Sequence, residues 1–269
     1  MQPAHLRSST SIIMASLLSN VLLMSYRRLG KLVSVISRNH SSLTTELIEN
    51  MDKKATWDRF YTENRGRTPN FKNFEWFFGF GTVQDFILPL LHSKPDSNTL
   101  FQVLDLGCGT SALGLDIYNN SFSAVQVTCA DISPVAVRFM QEQIRTKAAE
   151  PRNPDSRLEF LELDCTELHQ HYGSESLDLI IDKGTTDALL RSREGRGKAD
   201  QVLKQSLRVL RSSGLYLQFS DEDPDARLLW LETVGQELGG VTADVCVQEV
   251  GDLRGICYFC YQIRPRHAA

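Results

Sequence analysis

A chain of 269 residues with 42% hydrophobic content can bury a sizeable core, and one domain with extensions fits that length better than two. The formal net charge of −4 hides an asymmetry, because residues 1–45 hold five basic side chains (Arg7, Arg27, Arg28, Lys31, Arg38), ten serines and no carboxylate. That leaves 24 basic against 33 acidic residues from position 46 onward, a net of −9, which argues against a polyphosphate backbone as partner although a local basic patch could survive it.

An Arg- and Ser-rich, acid-free start is the composition of a mitochondrial transit peptide, and that is the favoured reading of residues 1–45. Two rivals stay open. The apolar run Ile12 to Met24 has the character of a signal-peptide h-region, though it is shorter than the roughly twenty residues that span a bilayer and lacks a clean cleavage site. A disordered basic tail is the plainer alternative.

Residues 46–98 read as an N-terminal helical and aromatic lid segment. Leu47, Met51, Ala55 and Phe60 or Tyr61 fall near helical spacing, so an amphipathic helix is expected over 46–64, followed by a loop through Gly66 and Pro69 to Asn73. The aromatic run Phe74 to Phe80 leads into an apolar helix over Thr82 to Leu91. Such density usually means core; the functional reading is a cover over a ligand.

From Leu100 strands and helices alternate. Strands are expected at Phe101–Leu106, Val125–Ala130, Leu158–Leu163, Leu177–Ile181 and Leu215–Phe219, and helices at Ser111–Tyr118, Pro134–Ala149, Glu167–His171, Ala199–Leu210 and Asp225–Leu238. Runs 151–156 and 191–198 look like surface loops. Two last strands, Val241–Val250 and Ile256–Ile263, meet across Gly251–Gly255, close enough for a hairpin. The fold expected for 99–265 is therefore α/β: a doubly wound, Rossmann-like, mostly parallel sheet of seven strands ending in a C-terminal antiparallel hairpin. Cys108, Cys129, Cys165, Cys246, Cys257 and Cys260 sit mostly in apolar runs, so reduced thiols are expected, and with no ligand spacing for zinc, no metal.

Val103 to Thr110, VLDLGCGT, ends the first strand in a glycine turn. Gly107 and Gly109 allow the backbone to approach a ligand, and Thr110 and Ser111 can cap the next helix. With Ala112 this also meets the relaxed dinucleotide fingerprint, and Asp131 stands near the distance of a ribose-holding acid, so a nicotinamide cofactor remains a rival. Asp105 tips the balance. A pyrophosphate would be repelled by it, whereas a cationic, amino-acid-bearing cofactor such as S-adenosylmethionine would be attracted. Asp105, Asp131, Asp164 and Asp182 each stand at or just past a strand end, where an open sheet of this kind binds its ligand.

Over roughly residues 71–263 the chain resembles the seven-stranded, class I S-adenosylmethionine-dependent methyltransferases. VLDLGCGT is similar to their first motif, Asp131 in CADIS to their ribose acid and Asp164 in LELDCTEL to their adenine acceptor. DKGTTDA at 182–188 resembles a protein-lysine methyltransferase branch that includes enzymes acting on elongation factor 1A. Within it, FEWFFGF, CGTS, SPVAV, LQFSDEDPDAR and LRGICYF look like segments of the mitochondrial enzymes that methylate citrate synthase. The first 45 residues and the loop from Ala148 to Arg157 match nothing recognisable. The resemblance implies a mitochondrial matrix enzyme with citrate synthase as protein substrate, acting without nucleic acid, without stable membrane insertion and as a monomer.

It also implies roles. Asp105 balances the cofactor's charged methionine end while amides of the Gly107–Gly109 turn take its carboxylate; Asp131 accepts the ribose hydroxyls; Ile132 lines the adenine; Asp164 and the Cys165 N–H meet its edge. Trp76, Phe77 or Phe78 would shield the sulfonium from water. Asp182 is assigned capture and orientation of the incoming lysine, and Lys183 a structural role. A nucleic-acid methyltransferase would usually carry an Asn/Asp-Pro-Pro-aromatic turn where this chain has Asp182-Lys-Gly-Thr. A small-molecule methyltransferase and a catalytically silent assembly partner stay open.

Overall fold

The computed structural model describes residues 47–67, 73–92, 100–146, 149–237, 241–253 and 255–267, so the expected transit peptide over 1–45 lies outside the described residues. The chain divides into two compact units, Met1–Ile48 and Glu49–Ala269, and the sheet belongs to the second. In chain order its elements are α1 (Lys54–Arg67), α2 (Gln84–Ile87), β1 (Phe101–Leu106), α3 (Leu113–Asn120), β2 (Val125–Asp131), α4 (Pro134–Thr146), β3 (Arg157–Glu162), a 3-10 segment Cys165–Gln170, β4 (Leu177–Lys183), α5 (Thr185–Arg191), α6 (Arg196–Val209), β5 (Leu210–Ser220), α7 (Pro224–Glu237), β6 (Val241–Asp252) and β7 (Cys257–His267).

The seven strands run in the order β3-β2-β1-β4-β5-β7-β6. β1 to β5 are parallel, and β7 pairs antiparallel with both β5 and β6, so the C-terminal hairpin completes a doubly wound sheet as expected. Strand alternation sorts the apolar side chains into two layers. Val103, Val127, Leu179 and Leu217 face one layer, with Leu113 and Ile117 of α3, Met140 of α4, and Phe78, Phe80, Val83 and Ile87 from the N-terminal segment. Leu104, Ile180 and Tyr216 face the other, packed on Val202, Leu203 and Leu207 of α6 and on Trp230 of α7. β4 is buried along its whole length, which is why Leu179-Ile180-Ile181 is apolar on both faces rather than alternating.

Several boundaries differ from expectation for local reasons. The first amphipathic helix begins at Lys54, after a turn closed by Lys53 N donating to Asn50 O at 3.0 Å, and runs on to Arg67. The apolar stretch 80–92 breaks into short 3-10 and α turns (Phe80–Thr82, Gln84–Ile87, Leu88–His92): Val83 leaves helical geometry at the first break, and Pro89, with no N–H to give residue 85, prevents the α turn from continuing past the second. β5 starts at Leu210, directly after α6, with a register shift in its pairing between Leu177 and Leu179. The helix α5 was not expected at all. Among the described residues no helix is long and apolar enough to cross a membrane, and no group of three His, Cys, Asp or Glu side chains could hold a metal ion.

Candidate active site

β1 lies between β2 and β4, so the chain crosses away from it in opposite directions and leaves a crevice beyond the carboxyl ends of the strands. A cavity enclosing about 990 Å³, its open mouth included, occupies that crevice. The strand ends contribute Asp105, Gly107, Cys108, Gly109, Asp131, Ile132, Asp164 and Cys165 to its lining; the turn after β4 adds Lys183, Gly184 and Thr185, and the N-terminal segment adds Met51, Asp52, Trp57, Tyr61, Phe74 and Trp76. All of the expected cofactor residues except Phe77 therefore meet in one place.

The glycine turn works through its backbone. Gly107 and Gly109 have φ of 64° and 55°, the left-handed region that a side chain disfavours. The Tyr61 hydroxyl occupies the space a Gly109 Cβ would need, and the Thr185 hydroxyl that of Gly107. The capping position of α3 is Ala112, one residue past the expected pair; Ser111 Oγ accepts from Leu113 N at 3.1 Å beside it, whereas Thr110 Oγ1 accepts from Phe74 N at 3.0 Å and ties the aromatic segment down instead.

Two carboxylates sit at the base of the cavity. Asp131 accepts one backbone amide on each oxygen, Gly109 N on Oδ2 and Ser133 N on Oδ1, both at 2.8 Å. A carboxylate oxygen has room for two donors, so each keeps acceptor capacity. Burial pushes Asp131 up to about 6, against the pull of those two amides. Asp105 accepts from Gly114 N at 3.1 Å, and burial pushes it up to about 7 although the Lys183 ammonium draws it down. A buried acid held near neutrality gains most from a cationic ligand. Asp164 is exposed and caps its own turn through Thr166 N at 2.9 Å and Thr166 Oγ1 at 2.7 Å, with Cys165 buried beside it.

The aromatic segment is fixed by a charge network the sequence did not announce. Glu75 accepts from Ala112 N at 2.8 Å and Ser111 Oγ at 2.7 Å, holding the N-terminal turn of α3, and its Oε2 pairs with Lys183 Nζ at 2.6 Å. The same buried ammonium donates to Trp76 O at 3.1 Å and Phe78 O at 2.8 Å. These carbonyls flank a three-residue turn in which Phe78 N donates to Trp76 O at 2.9 Å and Phe77 takes φ of 68°, a strained conformation for a non-glycine residue. The turn sends successive rings to different places. Trp76 faces the cavity, Phe78 enters the core, and Phe77 packs on Tyr258 with centroids 5.1 Å apart. The expected contact of Phe77 with the cofactor is thus corrected, since its ring is directed toward β7. At Gly184, with φ of 92°, a Cβ would collide with the Trp76 indole, whose buried Nε1 has no hydrogen-bond partner.

Asp182 requires the second correction. Expected at the mouth of the site, it is fully buried and absent from the cavity lining. Its carboxylate accepts from Thr185 N at 2.8 Å, Thr186 N at 3.2 Å, Thr186 Oγ1 at 2.5 Å and Tyr216 OH at 2.8 Å. Burial raises its pKa despite the Thr186 and Tyr216 hydroxyls. The cause is strand parity: Asp182 follows Ile180 onto the α6–α7 face, while Lys183 follows Ile181 onto the face shared with Asp105. Asp182 anchors the first turn of α5 and does not reach an acceptor.

Helix α1 supplies what the sequence reading passed over. Ser133 Oγ donates to Asp58 Oδ1 at 2.6 Å and Lys54 Nζ donates to Ile132 O at 3.0 Å, clamping the loop that carries Asp131. Trp57 and Tyr61, one turn apart, then face the cavity. The expected apolar face runs through Met51, Ala55 and Phe60 or Tyr61; Trp57 is not on it, and what the face covers is not marked in the sequence. The residues as a set fit S-adenosylmethionine: buried carboxylates for a cation and a ribose, and a backbone cradle.

Comparison with known proteins agrees with this geometry. A family model described as a methyltransferase domain matches residues 97–238. The chain is 59% identical over 253 residues to a mitochondrial citrate synthase-lysine N-methyltransferase of Danio rerio, covering 93% of this chain and 98% of that protein. It is 41% identical over 219 residues to the protein of the same name from Homo sapiens, covering 80% and 87%. Among solved structures, the cyclase SpnF superposes with a TM-score of 0.53 at 14% identity, over 80% of this chain and 95% of that one, a likeness of fold alone.

Proposed function

The chain belongs to the citrate synthase-lysine N-methyltransferases of the class I methyltransferase superfamily, and from that premise we propose that it methylates a lysine of citrate synthase in mitochondria, acting as a monomer. The observation that carries the reading is a single cavity holding Asp105, Asp131 and an aromatic wall at the switch point of the sheet. When bound, S-adenosylmethionine supplies an electrophilic methyl group on a sulfonium. Asp105 faces the charged amino-acid end, Asp131 the ribose hydroxyls, and Ile132, Asp164 and the Cys165 amide the adenine. Trp76 excludes water near the reacting methyl. The monomer reading is supported by how little large apolar surface is exposed: among the described residues only Phe122 and Leu229 stand out.

The acceptor must arrive as a neutral amine. For a free lysine at pH about 8 that costs roughly 3 kcal/mol. The wall of Trp57, Tyr61, Phe74 and Trp76 disfavours the ammonium by desolvation, and alignment of the amine in the closed cavity supplies much of the remaining rate. Asp182 contributes by fixing α5 beneath Gly184 and Thr185, and Lys183 by fixing Trp76; each is a positioning residue. Incubation of the purified protein with labelled S-adenosylmethionine and citrate synthase, followed by mapping of the label, tests the reading. Label on one lysine is expected, and it should vanish with Asp131→Ala; an unlabelled citrate synthase rejects the substrate, and failure to bind S-adenosylmethionine rejects the cofactor assignment.

A further inference from the structure

Once Asp105, Asp131 and the adenine-side residues are set against the cofactor, the cavity still has a wall made almost wholly of rings. Trp57 stacks on Tyr61 with centroids 6.1 Å apart and meets Trp76 edge-on at 6.0 Å; Trp76 meets Phe74 edge-on at 6.1 Å. All four line the cavity. The wall is held from behind, since Phe60 packs edge-on against Phe74 at 5.2 Å, Trp57 Nε1 donates to Met51 O at 2.8 Å, and Lys183 grips both carbonyls beside Phe77.

The polar inventory of this wall is lopsided. Phe74 has neither donor nor acceptor, both indoles can only donate, the Trp57 N–H is already engaged, and the one acceptor among the four rings, the Tyr61 hydroxyl, lies against Gly109 in the glycine turn. Trp76 Nε1 is a buried donor without a partner, so it repels an N–H group and offers it nothing. The buried Asp52 carboxylate, which also lines the cavity, accepts from Ser192 Oγ and from Lys198 Nζ at 3.1 Å, so its charge is already matched by a fixed ammonium. An unmodified ammonium entering here keeps three N–H donors with few acceptors. Each N-methyl group removes one unsatisfied donor, lowers the hydration lost on entry, and leaves the positive charge to interact with the ring faces.

We infer that Trp57, Tyr61, Phe74 and Trp76 form a binding site for methylated lysine, with affinity rising with the number of methyl groups, so that the protein retains its methylated product as well as making it. The inference rests on the acceptor being a lysine. It adds a binding activity that persists when no methyl group is available for transfer.

The test uses the full protein saturated with S-adenosylhomocysteine and titrated separately with Nα-acetyl-lysine methylamide and its Nε-trimethyl counterpart. Tryptophan fluorescence reports binding, since Trp57 and Trp76 both stand in the wall. The trimethyl compound should bind about 10-fold more tightly, the range that ring–cation contacts supply. Trp57→Leu and, separately, Trp76→Leu keep an apolar side chain but remove a ring, and a folded variant of either kind should lose the preference. Equal binding of the two compounds, no binding of the trimethyl compound, or a preference kept in the folded variants overturns the inference. A parallel binding measurement with methylated and unmodified citrate synthase should show the same order. If citrate synthase is never labelled by the unmutated enzyme, the substrate reading fails alone, and the small-molecule titration still decides the wall.

Discussion

Asp131 and Asp182 stand at equivalent places in the chain, each at the carboxyl end of a buried parallel strand, yet they live in opposite environments. Asp131 opens on the cavity with acceptor capacity beyond its two amide partners, while Asp182 is sealed behind α5 under donors from Thr185, Thr186 and Tyr216. Asp105 sides with Asp131. The difference is parity: Asp105 pairs with Cys129 and Ile181, whose side chains share the layer under the cavity, while Asp182 pairs with Leu106 in the opposite layer. A shift of one residue along a pleated strand turns a ligand-facing acid into an internal anchor.

The comparison breaks most visibly at the sealed acid. Asp182→Ala leaves the Thr186 and Tyr216 hydroxyls and two amides without their acceptor, so unfolding stability should fall by about 3–5 kcal/mol, lowering Tm by roughly 10 °C. Calorimetry checks this, and an unshifted Tm would return Asp182 to the surface of the site. The open acid should behave the other way. Asp131→Ala should weaken S-adenosylmethionine binding by about 2–4 kcal/mol, read by titration calorimetry on protein shown to be folded by circular dichroism.

The third prediction uses pH. Because burial raises Asp105 to about 7, a cationic ligand must displace its proton below that pH. Affinity for S-adenosylmethionine should therefore be flat above about 7 and fall by up to tenfold per unit below it, and Asp105→Asn should flatten the profile. The stability of the free protein should run in the opposite sense. The folded pKa is raised above the ordinary carboxylate value of 3.8, so the contribution from Asp105 is fully present below 3.8 and is lost as pH rises toward 7. The smallest effect belongs to Asp164, exposed and capping a single turn: Asp164→Ala should cost about 0.5–1 kcal/mol of stability by chemical denaturation. A loss as large as that at Asp182 would mean that exposure is a poor guide to these acids.

Much of the fold was legible because its signals are local. Apolar runs without polar alternation, such as Leu179-Ile180-Ile181, required a strand buried on both faces, the glycine pair after Leu106 required a turn, and Gly251–Gly255 required a hairpin. The boundaries that slipped were those where two local rules competed, as at Pro89 within an apolar helix-like stretch, or where the helix was too short to show a period, as with Thr185–Arg191. Within the site, Asp105, Gly107, Gly109, Asp131, Ile132, Asp164 and Cys165 were legible through one motif and three strand ends. Glu75 and Tyr61 were not, since their partners lie 36 to 48 residues away in Ser111, Ala112 and Gly109, and Trp57 was not, since it meets Trp76 only once the aromatic segment has folded back on α1.

The sequence by itself determined the α/β class, the glycine turn, the acids at the strand ends and the resemblance that points to lysine methylation, because each is written in neighbouring residues and their chemistry. Tertiary structure alone decided which acids face the cavity, where Trp76 and Phe77 part company, and that α1 lines the cavity with aromatic rings. Those outcomes depend on strand register and on a buried Lys183–Glu75 pair joining segments 108 residues apart, and such long-range pairing is fixed only when the sheet and its two layers have formed.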